Sequence, residues 1–550
     1  MKTKKFSPLL PLLILFLFLL NSHILATNQK PLTVAESSGF TATSRYNDVI
    51  EFIRKLQKQS SLIKVESLCT SAEGRDVPLL VVGRPVPSSP LDLKYSNRAV
   101  IYIQANIHAG EVEGKEASLM LIRDILLENN VPFLDNLVIL AAPIFNPDGN
   151  EKISLENRRS QNGPREGVGV RYNGQNLDLN RDAVKLESPE VRGLVQNVLN
   201  RWDPVLLVDC HTTDGSYHEE PVTYVWGLNP NGDSAIIEYM RSKMMPLIAK
   251  NLSGKYKVLS IPYGNFIDPA NPEKGWRPAG PQPRFITNYV GLRNRLSILD
   301  ENYTHADFKT RVWGAYYFLR SILEYCDKHK DEILQLVKTA DQKTIQRGMC
   351  PSKKDSFAVD YDLEPLKDKI TILGYKMNVI QRKGSWPIVK KTAQKKIYKL
   401  PYFCDYVPRK SVRFPYGYLV PLPVPEIEKK LLQHGITVEK LTEPATLEVE
   451  SFVLKEVKAS ERLFQGHHLN SVKGKYVVER KNFPPGTLFV STAQPLANVA
   501  AYLLEPESDD GLIAWNFFDR YLFREWRREP ENCPIYKLLE PAKLAKETVK

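Results

Sequence analysis

IYIQANIHAGEVEGKE, residues 101–116, is the stretch on which the fold turns. Its first half is a run of β-branched and other apolar residues of the kind that forms a buried strand, extending over about residues 99–107. The run stops at His108, Glu111 follows three places later, and a helix is predicted over residues 113–128. The same alternation of strand and helix patterns continues from about residue 40 to residue 340. A helix is expected over 44–59. Further buried strands are expected over 137–144, which ends in the turn Asn146-Pro147-Asp148-Gly149, and over 204–210 and 295–299. Residues 308–337 read as one or two helices. Such alternation predicts an α/β domain.

At 550 residues the chain is too long for a single core and should hold two to four domains. With 43% apolar and 25% charged residues it has neither a disordered nor a fibrous composition. Lys2, Lys4 and Lys5 precede an apolar run at about 9–20, then a polar stretch at 21–23 and the small residue Ala26. The run is short for a bilayer span, and the order reads as a secretory signal peptide cleaved after Ala26. Ile24 makes that cleavage site imperfect, and an uncleaved anchor is the alternative. After cleavage no stable membrane insertion is expected, and the destination is the periplasm or the outside. Beyond Gln342 the texture changes to scattered prolines, short alternating runs and basic clusters, with one short helix near 426–434. The expected organisation is therefore a signal at 1–26, an α/β domain at 27–340 and a smaller, β-rich α+β domain at 345–550.

Six cysteines are too few for a disulfide scaffold, and Cys210, inside an apolar run beside His211, reads as a buried free thiol. The net charge of +12 is partly local: residues 381–400 carry seven Lys or Arg and no acid. That run is either a solvated basic face or a surface attracted to an anionic envelope polymer or membrane. No nucleic-acid motif is present. Oligomeric state is not legible.

A His-x-x-Glu pair says little by itself. With nine His and 63 acidic residues, roughly one such pair is expected by chance. A second one, His329 with Glu332, sits in a charged helical pattern that no apolar strand feeds. His108 stands where a buried strand stops, and the run DPVLLVDCH ends in His211 in the same way. Ligands in open α/β sheets gather at the carboxyl ends of strands. His108, Glu111 and His211 thus form a candidate His2Glu set for one zinc ion. Three ligands with a fourth position left for water is the arrangement of catalytic rather than structural zinc. The bland alternative is a pair of hydrogen-bonded interior imidazoles.

HAGE (108–111), NPDG (146–149), LDLNRD (177–182), CH (210–211) and LDENYTHADFKTRV (299–312) occur in the order seen in the M14 zinc carboxypeptidases. The chain resembles that family over about residues 40–340. The resemblance implies a mixed, mainly parallel sheet with helices on both faces, and it implies His108, Glu111 and His211 as the zinc ligands. It further implies that Asp178 orients a ligand imidazole, that Asn180 and Arg181 grip the substrate's terminal carboxylate, and that Glu301 is the general base. Arg158, or its neighbour Arg159, would stabilise the oxyanion.

The motifs also depart from the family. Asp182 replaces the Asn usual after the Asn-Arg pair in animal digestive members, adding a carboxylate that would weaken the grip on a carboxylate or recognise an amino group. DENYTHADF is nearer to bacterial branches. Tyr263 and Tyr289 both compete for the tyrosine that caps the substrate. Asn302-Tyr303-Thr304 is a glycosylation sequon directly after the proposed base, so either it is not glycosylated or it is buried. The C-terminal part resembles an extension found in some bacterial exported members. Its LLEPESDDGLIAWN stretch reads as a capped turn, with a metal site as the alternative.

A zinc exopeptidase acting on the C-terminus of peptides is the reading that follows. Its rivals are a zinc deacylase or amidase acting on N-acyl amino acids or cell-wall peptides, and a non-catalytic module that binds envelope material.

Overall fold

In a computed structural model that describes residues 30–128, 132–213, 215–382, 387–522 and 532–549, the opening stretch forms strand Ala99–Ala105, buried along its whole length. The predicted signal at 1–26 lies outside the described residues. The first sheet comprises β1 (Ile63–Thr70), β2 (Asp76–Val82), β3 (Ala99–Ala105), β4 (Leu137–Ala142), β5 (Leu206–Thr213), β6 (Val222–Trp226), β7 (Ser260–Pro262) and β8 (Leu296–Tyr303). Their order across the sheet is β1-β2-β4-β3-β5-β8-β6-β7. The centre, β4-β3-β5-β8, is parallel throughout, as is β6 with β7. β1 with β2, β2 with β4, and β8 with β6 run antiparallel. The sheet is mixed and mainly parallel, as expected.

A parallel centre must be covered on both faces, and alternate residues of β3 show the division. Ile101 and Ile103 belong to one apolar cluster, which also takes Val49, Phe52 and Leu56 of α1 (Tyr46–Gln59), Leu119 and Ile122 of α2 (Glu113–Leu127) and Ile248 and Leu252 of α3 (Met245–Tyr256). The spacing Val49, Phe52, Ile53, Leu56 places one apolar face of α1 inward, and Asp48 caps its first turn by accepting from the Arg45 amide at 2.8 Å. Val100 and Tyr102 face the other way. They join a cluster with Leu194 and Val198, with Tyr289 of α4 (Ile286–Leu292), and with Tyr502 and Trp515 from the far end of the chain. The second face of the sheet therefore shares one continuous core with the C-terminal region.

The predicted helix over 308–337 is two helices, α5 (Phe308–Lys328) and α6 (Lys330–Met349), which break at His329. There His329 stacks on Tyr325, and its Nδ1 lies 3.2 Å from Glu332. The second His-x-x-Glu pair is thus a contact at a helix junction, with no third ligand among the described residues.

Beyond α6 the chain is β-rich. Ser356–Pro365 pairs with Phe403–Arg413, and Ile370–Ile380 pairs with Ile388–Leu400, both antiparallel. A seven-stranded antiparallel sheet follows, with helices Pro425–Gln433 and Ala497–Leu504. Five of the seven basic residues of the run lie on strand Ile388–Leu400; Arg382 precedes it, and Lys383 lies outside the described residues. All six cysteines are free thiols, and Cys210 is buried as expected. No helix among the described residues is long and apolar enough to cross a membrane.

Candidate active site

His108, Glu111 and His211 come together at the carboxyl ends of β3 and β5. After β3 the chain turns sharply: Asn106 takes φ +67°, and the Glu111 amide donates to the His108 carbonyl at 2.9 Å. Gly110 within this turn has no room for a side chain, because a Cβ would lie 2.7 Å from the Gly169 carbonyl and 2.8 Å from Cδ of Arg158. β5 continues three residues past the predicted end, so His211 lies within the strand, and the Thr212 amide donates to Glu111 Oε2 at 3.0 Å. Glu111 Oε1 lies 3.1 Å from His108 Nδ1, Oε2 lies 2.9 Å from His211 Nδ1, and the two Nδ1 atoms are 3.2 Å apart. All three side chains are buried.

The outer nitrogens show why this is a metal site. His108 Nε2 meets Asp178 Oδ1 at 3.1 Å, and His211 Nε2 lies 3.0 Å from Asp209 Oδ2. A carboxylate behind each ring holds a proton on Nε2 and turns the Nδ1 lone pair toward its partner. The two Nδ1 atoms and the Glu111 carboxylate converge on one point, the arrangement in which a divalent cation would be held. Tetrahedral zinc with its usual bond lengths holds neighbouring ligands roughly 3.3–3.5 Å apart, so the separations of 2.9, 3.1 and 3.2 Å would open by a few tenths of an ångström around it. Burial alone would raise the Glu111 carboxyl, but the neighbouring His108 and Arg158 outweigh it and hold it well below the usual range. Burial likewise would raise the Asp178 carboxyl, but His108, Arg181 and Arg171 outweigh it and hold it far below the usual range. The donor set fits zinc.

Sequence reading missed Asp209. Its signal was present: Asp209 and His211 are two apart on one strand and so share a face. Replacing it (Asp209→Asn) should weaken zinc binding by about 10- to 100-fold, measured by competition with a chromophoric chelator. Affinity equal to the parent's would remove Asp209 from this role.

Glu301 lies on β8 directly opposite His211 in the parallel β5–β8 register. Burial pushes its carboxyl up to about 8, against the pull of His211. Arg158 donates to Glu111 Oε1 at 2.8 Å and to the Thr212 carbonyl at 2.6 Å, and its Nε donates to Gln161 at 2.7 Å. Arg159 points away, exposed and paired with Glu156. A second guanidinium that the sequence reading did not single out, Arg171, donates from Nε to Asp178 Oδ2 at 2.8 Å and approaches Glu111 to 3.9 Å. It stands alone in an irregular loop, where periodicity offers no signal.

Asp178 caps the short turn Leu179–Arg181 by accepting from the Asn180 amide at 3.0 Å. Asn180 Nδ2 reaches to 3.5 Å from His211 Nε2, and its Oδ1 accepts from the Ile286 amide at 3.0 Å. The Arg181 guanidinium lies over the Phe285 ring, 4.4 Å from its centre. Next to Asn180 opens a pocket walled by Trp226, Leu228, Tyr263, Phe285 and Leu299.

Several open questions close here. Asp182 faces away from this pocket: it is fully buried, takes the Lys185 ammonium at 2.6 Å and accepts from the Ser188 amide and hydroxyl at 2.8 and 2.6 Å. It braces a turn, so neither role expected for it holds. Tyr289 is buried against His434, hydroxyl to Nδ1 at 2.7 Å, whereas Tyr263 lines the pocket. Asn302 and Thr304 of the sequon have no exposed surface. The acids of the LLEPESDDG turn are bound to protein partners: Asp510 accepts from Trp515 Nε1 at 2.7 Å, Asp509 from Tyr502 at 2.6 Å and Glu505 from Tyr418 at 2.8 Å. Among the described residues the only such His/Cys/Asp/Glu group is His108, Glu111 and His211.

Comparison with known proteins agrees with this geometry. Residues 49–269 match the sequence model of the zinc carboxypeptidase family, Peptidase_M14, a span that holds all three candidate ligands and stops short of Glu301. Carboxypeptidase 2 of Trichophyton rubrum is 24% identical over 513 residues, covering 89% of this chain and 88% of its own, so the likeness runs through the C-terminal region as well. Cytosolic carboxypeptidase 3 of Bos taurus is 23% identical over 322 residues, 54% of this chain and 28% of its own. A metallo-carboxypeptidase from Burkholderia cenocepacia superposes with a TM-score of 0.37 at 18% identity, over 52% of this chain and 69% of that one. The segment that matches the zinc carboxypeptidase model, residues 49–269, is the one that carries the buried His-Glu-His cluster, and together with the similarity to carboxypeptidases this marks the chain as a zinc-dependent metallopeptidase.

Proposed function

We propose that this carboxypeptidase releases apolar residues from the C-terminus of peptides, with His108, Glu111 and His211 holding zinc and Glu301 serving as general base. Zinc, when bound, supplies Lewis acidity to a water and to the scissile carbonyl. Glu301 takes the proton of that water and returns it to the leaving nitrogen. Arg158 stands where negative charge develops on the carbonyl oxygen; in the absence of substrate its guanidinium is engaged by Glu111. Asn180 and Arg181 dock the terminal carboxylate, and Asp178 keeps His108 oriented. The observation that carries this reading is the β5–β8 register, which sets Glu301, a buried carboxyl of raised proton affinity, directly opposite the candidate zinc ligand His211.

The wall beside Asn180, largely apolar and with no ionisable group apart from the Tyr263 phenol, supports a preference for apolar termini. Hydrolysis of a peptide library, read by mass spectrometry with and without a chelator, should show chelator-sensitive loss of single apolar C-terminal residues. Release of acyl groups from N-acyl amino acids, or cleavage of cell-wall peptides in place of plain peptides, would transfer the site to a deacylase or amidase.

We further infer that residues 1–26 are removed on export and that the mature protein acts in the periplasm or outside the cell, with a peptidase domain at 27–340 and a second domain at 345–550. N-terminal sequencing of the exported protein checks the first point. The basic strand Ile388–Leu400 supports attraction of an anionic envelope polymer, because Lys390 and Lys399 have no acidic partner among the described residues. Retention on an anionic polysaccharide column that salt abolishes would bear on this.

A further inference from the structure

Residues 178–187 carry Asp178, Asn180 and Arg181, and they are fastened from behind by the C-terminal region. His434 Nε2 lies 3.1 Å from the Val184 carbonyl, Lys430 donates to the Lys185 carbonyl, and His467 Nε2 lies 2.9 Å from Glu187. The opposite wall is fastened as well. Asp510 takes both the Arg284 amide, at 2.6 Å, and its guanidinium, at 3.0 Å, one residue before the Phe285 ring that supports Arg181.

The contact nearest the metal site comes from a single side chain. Phe464 and His467 exchange backbone hydrogen bonds of 2.8 and 3.0 Å across a two-residue tip, Gln465-Gly466. Both tip residues have positive φ, +52° and +81°, which makes this a type I′ turn. Gly takes such a conformation without cost, whereas Gln465 is held there against its preference. The turn is rigidly mounted, with the Phe464 ring stacked on Trp515 and covered by Arg284 at 5.3 Å. From it the Gln465 side chain reaches across 287 residues of sequence, and its Oε1 accepts the Asp178 backbone amide at 2.8 Å.

We propose that Gln465, from the second domain, is a positioning residue of the metal site. By fixing the Asp178 backbone it holds the Asp178 carboxylate against His108 Nε2, so the second domain completes the peptidase site. Asp178 already receives the Asn180 amide and Arg171 through its carboxylate, but these fix its side chain and not its own main-chain N–H. Without Gln465 that buried donor loses its acceptor and the turn at 178–181 is free to rotate. The inference rests on the reading that Asp178 and His108 serve zinc.

The test uses full-length protein, with zinc affinity measured by chelator competition alongside thermal unfolding of the metal-free form. Gln465→Gly deletes the acceptor while relieving the strained φ, so it should unfold at no lower temperature than the parent, yet bind zinc about threefold to tenfold more weakly, a smaller loss than for a direct partner of a ligand. Gln465→Met, of equal length without an acceptor, should show the same weakening, and Gln465→Glu, which restores an acceptor, should recover most of it. Parental affinity in both the Gly and Met variants overturns the proposal. So does an affinity loss that appears only in step with a lower unfolding temperature, the mark of a purely structural part. His108→Ala is measured in parallel: if it too binds zinc like the parent, the ligand assignment itself has failed.

Discussion

Glu301→Gln is expected to bind zinc with parental affinity and to lose kcat by roughly a thousandfold, within the range that a positioned general base contributes. The substitution keeps the shape and volume of a side chain that is buried at the end of β8. It removes only the capacity to take up a proton. Gln also adds no charge to a site where burial already disfavours the ionised carboxyl. The melting temperature should therefore stay close to that of the parent, so the loss reports chemistry and not folding. Steady-state kinetics on a C-terminally apolar peptide, with metal content measured on the same sample, separates the outcomes. Near-parental kcat would remove Glu301 from the reaction and would favour a base elsewhere in the cleft.

His211→Ala is expected to weaken zinc binding by about two to three orders of magnitude and to reduce activity to background, because one of three protein ligands is lost from a site whose total binding energy is of order 10 kcal/mol. The loss should be larger than that of Asp209→Asn, which leaves the ligand in place and only frees its ring. His329→Ala is the matched control. It breaks the other His-x-x-Glu pair, which lies at the junction of α5 and α6, and should change neither zinc content nor turnover. Retained zinc in His211→Ala would dismantle the His-Glu-His site altogether.

The central strands were legible in sequence because each is buried on both faces and so reads as an unbroken apolar run. β3, β4 and β5 all fall within two or three residues of their expected bounds, while β8 runs four residues past its expected end. The edges of the sheet were not legible. β1 is only partly buried and mixes Lys64, Glu66 and Ser67 with apolar residues, and β7 is three residues long. Edge strands carry weaker patterns because only part of their surface leaves water.

The same division holds at the site. Ligands that close a buried strand stand out, because a His or Glu there interrupts an apolar pattern; His108 and His211 were visible on that ground, and the motif order supplied Asp178, Asn180, Arg181 and Glu301. Arg171 and Gln465 carry no such mark. They act from irregular loops through single hydrogen bonds to Asp178, and nothing in local spacing records a contact formed across seven or 287 residues.

The amino-acid order alone determined the α/β layering and which side chains are equipped to hold a cation, since burial patterns and ligand chemistry are local properties. Tertiary structure alone decided that Asp182 and Tyr289 are turned away from the cleft and that Gln465 of the C-terminal region reaches the Asp178 backbone. Those outcomes depend on which distant surfaces pack together, and packing is a property of the folded whole.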